Sequence, residues 1–165
     1  MIRVFHRTDG IWQVDSWDKS GLPSRNIWID LVSPGAEEIS QVQKHLSIEI
    51  PSRAEMQEIE ATSRLYQENG AFFMTATGIT SPEHDSMESS AITFILSEAY
   101  LVTVRYLNPK PFDAFAARIQ KPGSNCSSST DLMIGLLEMI IDRMADILEM
   151  HSAEVERISG MIFTQ

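Results

Sequence analysis

The sequence predicts an α/β (α+β) domain: a mixed seven-stranded sheet flanked by helices in an αβα sandwich, with one long helix at its C-terminal end. Three observations carry that expectation. Seven short runs rich in β-branched and aromatic residues precede Asn108. Helical patterns interrupt them after the third run and return after the seventh, an order that favours mixed strand directions over a doubly wound parallel sheet. From Asp131 onward, "DLMIGLLEMIIDRMADILEMHSAEVERIS" keeps a helical rhythm with no proline. No internal repeat is visible.

Taken in order, "MIRVFH" and "IWQVDS" are strand-like runs around Asp9-Gly10, which supplies turn chemistry. "WDKSGLPSRN" reads as loop, and Ile27 to Val32, "IWIDLV", as a buried strand. "SPGAEEISQVQKHL" predicts a helix with Ser33 as N-cap, Pro34 in the first position and acids in the first turn. "IPSRAEMQEIE" predicts a short acidic helix capped by Ser52. "TSRLYQENGAFFMTATGI" reads as two strands about Asn69-Gly70, a strong hairpin signal. A polar loop, "TSPEHDSMESS", leads to a second hairpin, "AITFILSEAYLVTVRY", turning at Ser97-Glu98-Ala99. A helix from about Pro111, a flexible linker "PGSNCSSST" and the final helix, capped by Ser129 or Thr130, complete the chain.

Composition narrows the function classes. The chain has 165 residues, 43% of them hydrophobic and 22% charged, as in an ordinary folded domain. Its net charge of −10 repels phosphate backbones and favours cations, so nucleic acid is not an expected partner. One cysteine, Cys126, excludes an intrachain disulfide and fits a reducing compartment. No signal-peptide core is present, and no apolar run approaches the roughly 20 residues that span a bilayer. The chain as given reads as soluble. Signatures of hydrolases, nucleotide-binding loops and zinc proteases are missing, so no enzyme is expected.

The last helix is the most informative element. Leu137, Ile140, Met144, Leu148, His151, Val155, Ile158 and Ile162 step along one face. From Thr130 to Phe163 it would run about 50 Å at 1.5 Å per residue. A compact domain of this size has a radius of gyration of roughly 15 Å, so the helix should overhang. An overhanging apolar stripe needs another helix or another subunit.

Four blocks together resemble the cytosolic N-terminal domain of the CorA family of divalent-metal transporters: "WIDLVSPGAEEISQVQKHL", "IPSRAEMQEIEATSRLYQENGAFFM", "TFILSEAYLVTVRYLNPKPFDAFAARI" and "LLEMIIDRMADILE". The resemblance implies a cytosolic α/β domain over 1–126 and the start of a long stalk helix over 127–165. In that family the stalk runs into two membrane helices, and five subunits surround an ion pore. The expected partners are therefore other copies of the chain, in a homopentamer, and divalent cations. The membrane is engaged only through a C-terminal segment that this sequence does not include. The implied location is the cytoplasmic side of the cell inner membrane. The pore-mouth Gly-Met-Asn signature is missing, so the helix reads as cut within the stalk.

Acidic residues are the candidate chemistry. Glu55, Glu58 and Glu60 crowd one short segment; Asp142, Asp146 and Glu149 share a helix face, a pattern that also describes a solvated acidic surface. Mg²⁺ takes hard oxygen ligands, keeps several waters and often uses only one or two carboxylates. Relatives carry a Leu-Glu-Asp-Ile pattern whose carboxylates help hold regulatory Mg²⁺ between subunits. Aligned on the isoleucine, this chain reads Met56-Gln57-Glu58-Ile59, so Glu58 keeps a carboxylate and Gln57 replaces the other. The resemblance implies Glu58 and Asp142 as metal ligands, for Mg²⁺ or alternatively Co²⁺ or Zn²⁺, in a site weak in the isolated piece.

That makes the expected function cation sensing and gating for a magnesium/cobalt transporter. A zinc-transporting relative and a free-standing acidic coiled-coil assembly module are the alternatives. Other readings are plainer. His84-Asp85 with Glu88 reads as a solvated loop, His151 as a packing residue and Cys126 as a passive thiol. Trp28, Phe72, Phe73, Phe94 and Phe115 read as core, and Arg64 and Arg105 as members of ion pairs.

Overall fold

A computed structural model describes residues 1–17, 27–80 and 88–163. Its seven strands are β1 (Ile2–Thr8), β2 (Ile11–Ser16), β3 (Ile27–Val32), β4 (Leu65–Glu68), β5 (Ala71–Thr80), β6 (Glu88–Leu96) and β7 (Tyr100–Arg105). They form one sheet in the order β2-β1-β3-β7-β6-β5-β4. Neighbours are antiparallel except β3 and β7, which run parallel at the centre. The mixed seven-stranded sheet is as expected. Both short hairpins close with two residues at positive φ, Asp9-Gly10 at 52° and 84° and Asn69-Gly70 at 48° and 78°. That conformation matches the twist of the flanking strands.

The helices are α1 (Ala36–Leu46), a single 3₁₀ turn η1 (Glu55–Gln57), α2 (Ala61–Arg64), α3 (Lys110–Ile119) and α4 (Ser129–Phe163). Several boundaries differ from expectation for local reasons. Ser33 is not the cap of α1: its N–H donates to the Arg105 carbonyl at 2.8 Å and its φ is 44°. The cap is Gly35, whose N–H donates to the Glu38 carboxylate at 3.0 Å. The acidic helix shrinks to η1, where Ser52 and Glu55 exchange hydrogen bonds through the Ser52 N–H and hydroxyl. Residues 61–64 form a helical turn rather than the start of a strand. On α4 the cap is Ser128, whose hydroxyl accepts from the Asp131 N–H at 3.1 Å, while Asp131 accepts from the N–H groups of Ser127 and Ser128. The segment before α4 is also tied down by Trp12, whose indole N–H donates to the Cys126 carbonyl at 3.0 Å.

Strand alternation divides the interior into two cores. Val4, Ile29, Leu31, Val102 and Val104 meet Val42 of α1 and Met56 of η1 on one face. Phe5, Trp28, Phe94 and Leu101 meet Phe112, Phe115, Leu132 and Leu136 of α3 and α4 on the other. Of the aromatics read as core, Phe72 is the exception: it is 47% exposed, on the opposite side of β5 from Phe73.

The same alternation explains the W-I-D-L and L-V-T-V-R motifs. Trp28 and Asp30 share a face with Leu101, Thr103 and Arg105 across the β3–β7 junction. Asp30 is fully buried and accepts from Arg105 Nε and Nη2 at 3.0 and 2.9 Å, from the Thr103 hydroxyl at 2.8 Å, and from Arg3 Nη2 at 2.6 Å. Arg3 continues to Asp113 of α3 at 2.7 Å. Burial of a charge is tolerated when it is paired and hydrogen-bonded, as here. Burial alone would raise the Asp113 carboxyl, but the Arg3 hydrogen bond and charge hold it below its ordinary range.

Helix α4 starts inside this structure and leaves it. Leu132, Met133, Leu136 and Ile147 are buried, whereas residues 148–162 are exposed throughout. The overhang is therefore about 22 Å. Leu148, Val155, Ile158 and Ile162 of the expected stripe are 66%, 66%, 45% and 64% exposed. His151 is exposed with them and packs in no core of the described residues.

The close approach of α3 and α4 depends on Gly135. A Cβ there would lie 2.8 Å from the buried Phe115 ring and 2.7 Å from Arg118, which donates to the Gly135 carbonyl at 3.2 Å. Gly135→Ala gains about 1 kcal/mol in helix propensity but forces overpacking that costs about 1–3 kcal/mol. A net loss of about 1 kcal/mol in the free energy of urea unfolding is expected. Gly160→Ala, where a Cβ meets nothing within 4 Å, should not destabilise.

Candidate functional site

Between α1, η1 and β4 the structure opens a cleft of about 460 Å³. Four carboxylates line it: Glu49 from the loop after α1, Glu55 and Glu58 from η1 and its end, and Glu68 from β4. Among the described residues no basic side chain lines it. Glu55 is held below the usual carboxylate range by hydrogen bonding from Ser52, side chain first and backbone second. Tyr66, also in the wall, is pushed up by burial and then by the charges of Glu68, Glu55 and Glu49. The cleft is thus a region of negative potential that disfavours further anions and favours cations.

Glu58 is exposed at the end of η1, with extended backbone at φ −62° and ψ 142°. Its carbonyl accepts from Arg64 Nε at 2.8 Å, which fixes the backbone and leaves the carboxylate to the cleft. Asp142 lies elsewhere. It lines a shallower opening of about 210 Å³ with Lys110, Arg143 and Asp146, beside Pro111, Ala114 and Met139. Glu58 belongs to the α1 side of the sheet, where Met56 is core, and Asp142 to the α3–α4 side. Within one chain the sheet stands between them. Among the described residues there is no group of three or more His, Cys, Asp or Glu side chains arranged to hold a metal ion.

Other candidates resolve simply. His84 and Asp85 lie outside the described residues, and Glu88 begins β6. Burial raises the Cys126 thiol, which is half-buried at the edge of the α3–α4 core, so its thiolate form is suppressed. Arg105 forms the expected ion pair with Asp30, but Arg64 pairs with a carbonyl and with no carboxylate among the described residues. Glu49 and Glu68 were invisible as site residues in the sequence. They come from different elements, and only the fold brings them beside Glu55 and Glu58.

A family model described as a CorA-like Mg²⁺ transporter protein matches residues 23–165. The chain belongs to the CorA family. The CorA magnesium transport protein of Campylobacter jejuni is 28% identical over 149 residues, which cover 86% of this chain and 46% of that protein. The complete CorA magnesium transporter of Methanocaldococcus jannaschii superposes with a TM-score of 0.75 at 17% identity, over 98% of this chain and 50% of that one. The ZntB cytoplasmic domain of Vibrio parahaemolyticus gives 0.62 at 15% identity, over 92% and 63%. At such identities the structural likenesses speak for the fold, and that fold is the CorA-type soluble domain with its long C-terminal helix. The chain spans about half the length of the curated CorA relatives it matches. Among the described residues no helix is long and apolar enough to cross a membrane.

Proposed function

We propose that this chain is the cation-sensing head and upper stalk of a CorA-type transporter of divalent ions, with Mg²⁺ as the regulatory ligand. On this reading the domain lies on the cytoplasmic side of the membrane and works in a homopentamer. Glu58 of one subunit and Asp142 of a neighbour would share a hydrated Mg²⁺. The observation that supports it is the separation of these two carboxylates by the sheet: a cation joining them needs two copies of the chain. The exposed, partly apolar length of α4 supports the same conclusion, because such a surface is ordinarily covered by another helix or subunit.

The proposed mechanism is electrostatic. Apposed carboxylates repel, and a bound divalent cation offsets that repulsion and favours the apposed arrangement. Loss of the ion releases the subunits, and α4 transmits the change. The ion acts only through its higher affinity for one arrangement than for the other. Regulatory binding of this kind assigns no catalytic residue.

The test is limited proteolysis of the full-length protein during a Mg²⁺ titration, repeated with Co²⁺ and Zn²⁺. Glu58→Ala and Asp142→Ala should each raise the Mg²⁺ concentration needed for protection by about tenfold or more, equivalent to about 1.4 kcal/mol. Protection curves that coincide with the parent's would remove both residues from the sensor. Protection at far lower Zn²⁺ than Mg²⁺ would reassign the ion.

A further inference from the structure

Residues of η1 also line a second opening of about 420 Å³, whose walls, unlike those of the acidic cleft, carry arginine. Arg53 and Arg64 line it together with Gln57, Ser89, Ser90 and Tyr106. Each guanidinium is anchored by one part of itself. Arg53 lies over the Tyr106 ring, 4.7 Å from its centroid, and Arg64 spends only Nε, on the Glu58 carbonyl. Among the described residues neither is in an ion pair.

These features are unusual together. In a chain of net charge −10, two guanidinium groups line this one cleft beside a single carboxylate, Glu88. Like charges on one wall repel, and an anion between them removes that cost. The stack and the backbone contact hold both arginines, and among the described residues their terminal N–H groups are uncommitted, so little side-chain freedom is lost on binding. A guanidinium fork matches two oxygens of a phosphate, and the Ser89 and Ser90 hydroxyls and Gln57 amide supply neutral donors. The volume is that of a small-molecule site rather than of a macromolecular groove. Glu88, also in the wall, disfavours an anion filling the whole cleft but can accept from a ligand hydroxyl.

The geometry points to a binding site for a small phosphate-bearing anion in this cleft, with Arg53 and Arg64 as its charged contacts. The site does not depend on the cation-sensing reading. It does touch the same segment, since Arg64 holds the backbone that carries Glu58.

The test is calorimetric titration of the chain with inorganic pyrophosphate and, separately, with ADP, in EDTA at about 150 mM salt so that no metal bridges the ligand to the acidic cleft. Saturable binding of at least one probe is expected. Arg53→Gln and Arg64→Gln should each weaken it about tenfold or more, as loss of a charge-assisted hydrogen bond does. Ser90→Glu, which leaves both arginines in place, should weaken it similarly, and Arg157→Gln on the exposed part of α4 should not. Tighter binding of ADP than of pyrophosphate assigns a nucleotide, and equal binding assigns the bare diphosphate. Absence of saturation by either probe below about 10 mM, or binding indifferent to Arg53, Arg64 and Ser90, overturns the site.

Discussion

Asp30→Ala is expected to destabilise the domain by about 3–5 kcal/mol, the cost of leaving a buried charge without its partner. Both Asp30 and Arg105 are fully buried, and once the carboxylate is gone the Arg105 guanidinium keeps the Leu107 carbonyl, the Asn108 side chain and the Phe112 ring, none of which carries a compensating charge. The Thr103 hydroxyl and one side of Arg3 lose their acceptor as well. Folded domains are stable by about 5–15 kcal/mol, so the loss is a large fraction of the total, and at the lower end of that range it brings the variant to the edge of unfolding. Asp30→Asn preserves shape and part of the hydrogen bonding and should fall between. A urea unfolding series measures both. A loss below about 1 kcal/mol for Asp30→Ala would mean that water or a rearranged side chain replaces the carboxylate.

Trp28→Ala should be comparably severe, about 3–5 kcal/mol, because it opens a cavity at the centre of the α3–α4 core. The indole is fully buried, stacks on Phe5 at 4.4 Å and meets Phe115 edge-on at 5.6 Å. Its N–H donates to the Thr103 hydroxyl at 2.9 Å, and that hydroxyl donates to Asp30. The two substitutions therefore share a partner. The double variant should lose less than the sum of the two, with a coupling of at least about 0.5 kcal/mol. Additive losses would show that the hydroxyl carries no linkage between them.

What could be read from the residues follows from how local each signal is. Asp9-Gly10 and Asn69-Gly70 set hairpins because both central positions need positive φ, a requirement written in two adjacent residues. The β-rich runs and the length of α4 were legible for the same reason. Ser33 misled because its N–H is engaged by Arg105, far along the chain, and no cap signal reports such a contact. Phe72 looked like its neighbour Phe73 until strand pairing assigned them opposite faces. At the candidate cleft, Glu58 was named through resemblance alone, whereas the presence of Glu49 and Glu68 beside it required the tertiary arrangement. The Arg53–Arg64 cleft needed it equally: Arg64 was expected in an ion pair, and its actual acceptor is a main-chain carbonyl.

Beyond its packed part α4 runs on as an exposed arm. From Ile147, its last buried residue, to Ile162 is about 22 Å of continuous exposed helix. A tilt of about 5° at Ile147 sweeps Ile162 through about 2 Å, while the atoms at the contact itself shift by a fraction of an ångström. Close packing transmits so small a displacement instead of absorbing it. On the proposed reading, a surface seated on that arm would register such a tilt without a visible change of shape in the head.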